Sequence, residues 1–575
     1  NSILNSTQMI QIRKMNMSAW FFPFFGRYSS LKMTASRNFV YVIAALISTV
    51  AYGSSTVWVE AQTANLNGCS SYSIAASSIT VTCNSSYAAS TSGVQTPQND
   101  TTVNNTTVNI EASASRSING STVGIGSGSS VTNAGSLNTQ SFYYGYGVSF
   151  GANGRSQAGG NTFVNASSGS ITTGGTNAHG VYVSSTNAGA AASTITNNGS
   201  ISVTGRGANA ISINSPTALV TVNNGASATS SSVQGSAIYV NGNSSITNSG
   251  NLRGSGSSSE TAVISLSGTT STTINNQVGG VIEPYGSTFN PGAIAIASRS
   301  PSTDGGITIN NAGTITGRVI LSDNSETFTN SGTWNTSGTS QFNIGADTIT
   351  NTSSGRINTY GATSFDMGGQ NPVFQNTFNN QGYLKIGNGT DGSAGVLNVF
   401  STGNETLKFN NTGTIDLGVD GIGKPKNQLI INGDLYVGES SKIVIDTPTG
   451  GSTSNIVIDG NASGGKTDLV LAPDTVGSNN PIGSAVVSIK GQDTTGGIAL
   501  SSSSPGFNYN NGTPMVNAGL YYYYLGNSTG AASCQSGYTC YSLYSIASAA
   551  ARTLPIAVTA AQSMWQESAL MWEDR

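Results

Sequence analysis

Charge is what this sequence most lacks. Only 8% of its 575 residues are Asp, Glu, Lys or Arg, and the formal net charge is −3. No acid occurs between Glu111 and Glu260, and no lysine between Lys32 and Lys385. A nucleic-acid surface needs clustered Lys or Arg. Arg116, Arg155, Arg206 and Arg253 are instead scattered singly, so no nucleic-acid partner is expected. The single histidine, His179, restricts any Ser-His-Asp triad to one imidazole. It lies in NAHGVYVSS without a companion that marks a base, and reads as a surface or rung residue. GDSG, CxxC and GGxGxD are all missing, and no GxSxG stands in a strand-turn-helix setting. Acids in the middle of the chain are isolated at Glu260, Glu283, Asp304, Asp323 and Asp347. Their spacing does not suggest the paired carboxylates of polysaccharide cleavage. An enzyme, a cofactor and a metal site are therefore not expected.

The same shortage of charge argues against disorder, which normally accompanies high net charge and few apolar residues. Here 37% of residues are hydrophobic, and they recur at short intervals. Cysteine is sparse too, in two local pairs, Cys69/Cys83 and Cys534/Cys540. In an exported chain these read as two short-loop disulfides.

What is present is a repeat. The pattern apolar-x-Asn-x-Gly-x-apolar begins at Val131, Ile195, Ile246, Ile309, Phe328, Phe378 and Phe409. Its turn residues are Asn133 and Gly135, Asn197 and Gly199, Asn248 and Gly250, Asn311 and Gly313, Asn330 and Gly332, Asn380 and Gly382, and Asn411 and Gly413. Variants with inserted residues start at Phe163, Ile274 and Ile349, and a degenerate copy lies at 222–228. A period of roughly 20–30 residues signals a solenoid. Alternating β-branched residues around Asn-Gly turns select strands over helices. The expected fold is all-β: a right-handed parallel β-helix with a C-terminal capping β region and a short C-terminal α-helix. Apolar motif positions should point inward and stack, Asn should form a ladder between coils, and Gly should take a positive φ at the corner.

The ends differ. After Met33 and Arg37, the run FVYVIAALISTVA (39–51) is too short for a membrane span of about 20 residues and suits a signal peptide. A leader over 1–61 would be cleaved after Ala61, with cleavage nearer Gly53 as the alternative. An N-terminal cap is expected over 62–100, the repeat passenger over 101–425, a C-terminal cap over 426–542, and a linker helix over 543–575. NQLIINGDLYVGESSKIVID, GLYYYYLGN and CYSLYS carry the cap, and AAQSMWQESALMWEDR the helix, with Pro555 allowed at its start.

With these segments in this order, the chain resembles a bacterial autotransporter (type V secretion), its passenger ending in a pertactin-like C-terminal region. The resemblance implies export through the inner membrane and display at the outer membrane or cell surface. It also implies an outer-membrane β-barrel translocator on the same polypeptide, whose alternating strands would follow Arg575. The expected role is an adhesin or structural surface protein that meets glycans, proteins or a twin molecule. The alternative is a hydrolase carried on a loop insertion, for which 138–160 and 284–304 are the candidates.

Overall fold

The computed structural model describes residues 69, 71–75, 78–84, 87–89, 94–95 and 105–573. Short breaks fall at 140–142, 269–270, 287, 370–372, 388–393, 403–404, 419–425, 449–452, 473–478 and 528–532. The leader and Ala61 lie outside the described residues.

The described chain is a parallel β-helix with three faces. The first face runs from Thr106–Ile110 through Ser130–Asn133, Thr162–Asn165 and Ser193–Asn197 to Asp493–Thr495. The second runs from Ser115–Ile118 through Ser136–Thr139 to Ile498–Leu500, and the third from Val123–Ile125 through Val148–Phe150 to Ser484–Ile489. Each strand pairs in parallel with the equivalent strand of the coils on either side. Some strands bend across a corner; Ile211–Asn224 and Ile238–Asn248 each serve both the third and the first face.

Strict alternation of burial along Ile238–Asn248 shows why these residues form strands: every second side chain enters the core. The motif's apolar residues form columns there. Val131, Phe163, Ile195, Val222, Ile246 and Ile274 lie in register on the first face and are fully buried. Further along, aromatic rings take over the interior. Trp334 stacks on Phe365 at 4.9 Å, Phe365 on Phe378 at 5.7 Å, and Phe378 on Phe409 at 4.7 Å. The Trp334 indole N–H donates to the Gly317 carbonyl at 2.9 Å, so the buried ring leaves no unpaired donor.

The motif is the corner between the first and second faces. Copies matching the pattern make a two-residue corner, such as 134–135 and 198–199. Copies with insertions make a four-residue corner, such as 166–169 and 277–280. The expected reason for glycine needs correction. None of Gly135, Gly199, Gly250, Gly313, Gly332, Gly382 or Gly413 has a positive φ. A Cβ on any of them would instead lie within 3.0 Å of a backbone oxygen of the preceding coil, that of Ala114 for Gly135 and of Gly280 for Gly313. Coils stacked about 4.8 Å apart leave no room for a methyl at this corner.

Parallel rungs continue past residue 425, through Gln428–Asn432, Asp434–Val437, Ser441–Asp446 and Thr467–Ala472. Pairing turns antiparallel at Phe507–Asn510, Thr513–Ala518, Tyr521–Asn527 and Thr539–Ala547, the last of which pairs back onto Ser484–Ile489. Tyr523 is buried in this sheet, while Tyr524 stacks on Tyr544 at 5.6 Å. The helix, α1, spans Ala549–Glu573. Its N-terminus is capped by Ser548, whose Oγ accepts the Ala551 N–H at 3.2 Å; it therefore starts later than the expected 543, because Thr539–Ala547 is the last strand of the cap, and runs through Pro555 in its interior.

Candidate functional site

The buried asparagines form one continuous ladder. Nδ2 of Asn133 donates to Oδ1 of Asn165, and the same bond repeats through Asn197, Asn224, Asn248, Asn276, Asn311, Asn330, Asn351, Asn380 and Asn411 at 2.7–3.0 Å. The coils it joins are 19 to 35 residues long, so the ladder, not the spacing, defines the repeat. The second proton on Nδ2 is used as well; that of Asn248 reaches the Val281 carbonyl at 3.2 Å. A neutral amide thus sits fully buried with both protons satisfied. The ladder stops where the equivalent residue is apolar: Ile110 before Asn133 and Val437 after Asn411. Asn133 Oδ1 and Asn411 Nδ2, its two ends, are left without partners. Every asparagine of the ladder is buried within the stack of coils.

The corner between the third and first faces carries acids. Glu326 and Asp347 hold equivalent positions in successive coils, immediately before the paired residues Thr327 and Thr348. The Glu326 N–H donates to Asp347 Oδ1, the Asp347 N–H to Asn376 Oδ1, and Asn376 Nδ2 to Glu405 Oε2, each at 2.8 Å. Ser322 Oγ donates to the Glu326 carboxyl. Burial pushes the pKa of both Glu326 and Asp347 up, Glu326 the further of the two. Glu326 Oε2 and Asp347 Oδ2 have no hydrogen-bond donor, so burial and mutual repulsion disfavour the doubly ionised pair. The acids therefore do converge by stacking, which corrects the expectation of isolated carboxylates. Each lies four residues before a ladder asparagine, in ETFTN (326–330) and DTITN (347–351); that shared offset was the available signal. Among the described residues no three His, Cys, Asp or Glu side chains are placed to hold a metal ion.

The third corner, between the second and third faces, presents aromatic side chains. Tyr146 stacks on Tyr182 at 4.9 Å and on His179 at 5.6 Å, with Tyr143 and Tyr144 exposed beside them. The Asn209 N–H donates to His179 Nδ1 at 2.9 Å, and burial lowers the imidazole pKa to about 4. That leaves His179 neutral and oriented by the Asn209 backbone. Further along the rod, Arg253 and Glu283 face each other in register and pair at 2.6 Å. They border an open cleft of about 650 Å³, with Tyr285 and Phe289 exposed at its rim and Phe289 set edge-on to Tyr360 at 5.0 Å.

Both cysteine pairs are disulfides, Cys69–Cys83 and Cys534–Cys540. The second ties the last turn of the cap to its final strand. No family model matches the chain, and no curated protein matches it.

Proposed function

We propose that this chain is the passenger of an autotransporter, exported and displayed at the cell surface, where it acts as an adhesive or structural rod. One observation carries the reading. A sparsely charged β-helix ends in an antiparallel cap that leads directly into a 25-residue helix whose large apolar side chains, Leu554, Ile556, Met564, Trp565 and Trp572 among them, are exposed. A folded rod with such a trailing helix suits a chain continued by a membrane-embedded translocator. No helix among the described residues is long and apolar enough to cross a membrane; the barrel implied by the resemblance would cross with strands. The rod itself offers hydroxyls, amides and aromatic rings along its length, which suits many weak contacts with glycans, matrix proteins or a second rod.

The test is genetic. Cells lacking the gene should lose attachment to a glycan-coated or protein-coated surface, or lose self-aggregation, and recover it when the gene is restored. Unchanged attachment and aggregation in the deletion strain would defeat the adhesive reading.

A further inference from the structure

The corner between the second and third faces holds a residue that local backbone chemistry disfavours. Tyr144, Asn177 and Gly207 occupy equivalent positions in three successive coils: the Tyr144 N–H donates to the Thr176 carbonyl at 3.1 Å, and the Asn177 N–H to that of Arg206 at 2.9 Å. All three have left-handed backbones, with φ of 58°, 53° and 66°. Glycine and asparagine suit that conformation, and a bulky aromatic residue does not. A strained conformation retained in a folded chain points to a use for the side chain. Tyr144 is 48% exposed and Tyr143 55% exposed, and the two rings meet edge to face at 4.3 Å.

The neighbouring rings form a neutral, rigid base. Tyr146, His179 and Asn209 follow one another in register; His179 lies within 5° of parallel to Tyr146 and receives the Asn209 N–H. Tyr182 stacks on both rings, within 13° of Tyr146 and 17° of His179. No Asp or Glu occurs from 112 to 259, so the platform has no counter-charge for a cation. Thr176 and Asn177 lie beside Tyr144 on the next coil, and Arg206, exposed, on the coil after that.

We propose that Tyr143 and Tyr144, supported by Tyr146, His179 and Tyr182, form a subsite for a sugar ring of an uncharged glycan. The apolar C–H face of a pyranose packs on an aromatic ring, and its hydroxyls hydrogen-bond to phenol and amide groups at the rim. This names a ligand class for the adhesive reading and rests on it, but it is tested on purified chain, without cells. The chain is titrated against tetramers of β-1,4-linked glucose and of β-1,4-linked N-acetylglucosamine by calorimetry.

Binding to at least one tetramer is expected, with little dependence on salt. Tyr143→Ala and Tyr144→Asn should each weaken it at least tenfold. Tyr144→Asn also relieves the left-handed strain, so its melting temperature should equal or exceed that of the native chain. Loss of binding together with retained or raised stability marks a ligand-contacting residue and not a packing one. Absence of binding to both sugars, or binding unchanged by both variants, overturns the proposal, as does self-association of the chain that Tyr143→Ala abolishes without any sugar binding. Failure here alongside lost attachment in the deletion strain would sink the subsite and leave the adhesive rod standing.

Discussion

Asn224 donates from Nδ2 to Oδ1 of Asn248 at 2.8 Å, and Asn248 passes the same bond to Asn276 at 2.8 Å. Replacing Asn248 by Ala strips the acceptor from one neighbour and the donor from the other, in a site without exposure to water. Each orphaned buried group costs about 1–3 kcal/mol. Asn248→Ala should therefore lower unfolding free energy by roughly 2–4 kcal/mol in denaturant titration. Asn187→Ala, on an exposed loop, should change it by less than about 0.5 kcal/mol. Equal effects would show that the ladder does not hold the coils.

The ladder's end makes a sharper case. Asn411 Nδ2 has no acceptor, and Val437 lies in register with Asn411 on the next coil. Val437→Asn supplies the missing Oδ1. Burying a second amide is costly by itself, so the informative quantity is the coupling. A double-mutant cycle combining Val437→Asn with Asn411→Ala should return a favourable interaction of about 1–2 kcal/mol between the two positions. Val437→Asn should thus be better tolerated when Asn411 is present than when it is replaced. Zero coupling would mean that the two side chains do not meet.

The Glu326–Asp347 pair predicts a pH dependence opposite to that of an ordinary salt-bridged acid. Burial raises both folded pKa values above their unfolded ones. The folded state therefore binds more protons than the unfolded chain. The pair's contribution is fully present below the ordinary carboxylate range and is lost as pH rises toward the raised folded values. Glu326→Gln keeps the acceptor for Ser322 and adds an N–H for Asp347. Between about pH 4 and about pH 8, bracketing the ordinary carboxylate pKa and neutrality, the melting temperature of Glu326→Gln should fall less than that of the native chain. Parallel profiles would show that no proton is held there.

Much of this architecture was legible because the Asn-Gly corner is the one corner whose length is nearly constant. The first and second faces could be read from Ile195 and Ile201, which flank it. The third face was not legible, since the chain reaches it through segments as unlike as 119–122 and 174–180. The role of Gly313 was misread for a physical reason: a clash with a neighbouring coil leaves no trace in local turn chemistry. The acids were hidden by counting along the chain; measured back from Asn330 and Asn351, Glu326 and Asp347 coincide. Tyr144 carried no sign of its left-handed backbone, which became apparent only beside Asn177 and Gly207.

Display outside the cell is tested most directly by treating intact cells with a protease. Gly189 and Gly279 lie on turns where even an added side chain would meet nothing within 4 Å, so a tag placed at either should be reached by antibody and its signal removed by the protease while a cytoplasmic marker stays intact. A signal that appears only after lysis, and survives treatment of intact cells, would contradict a surface-displayed rod.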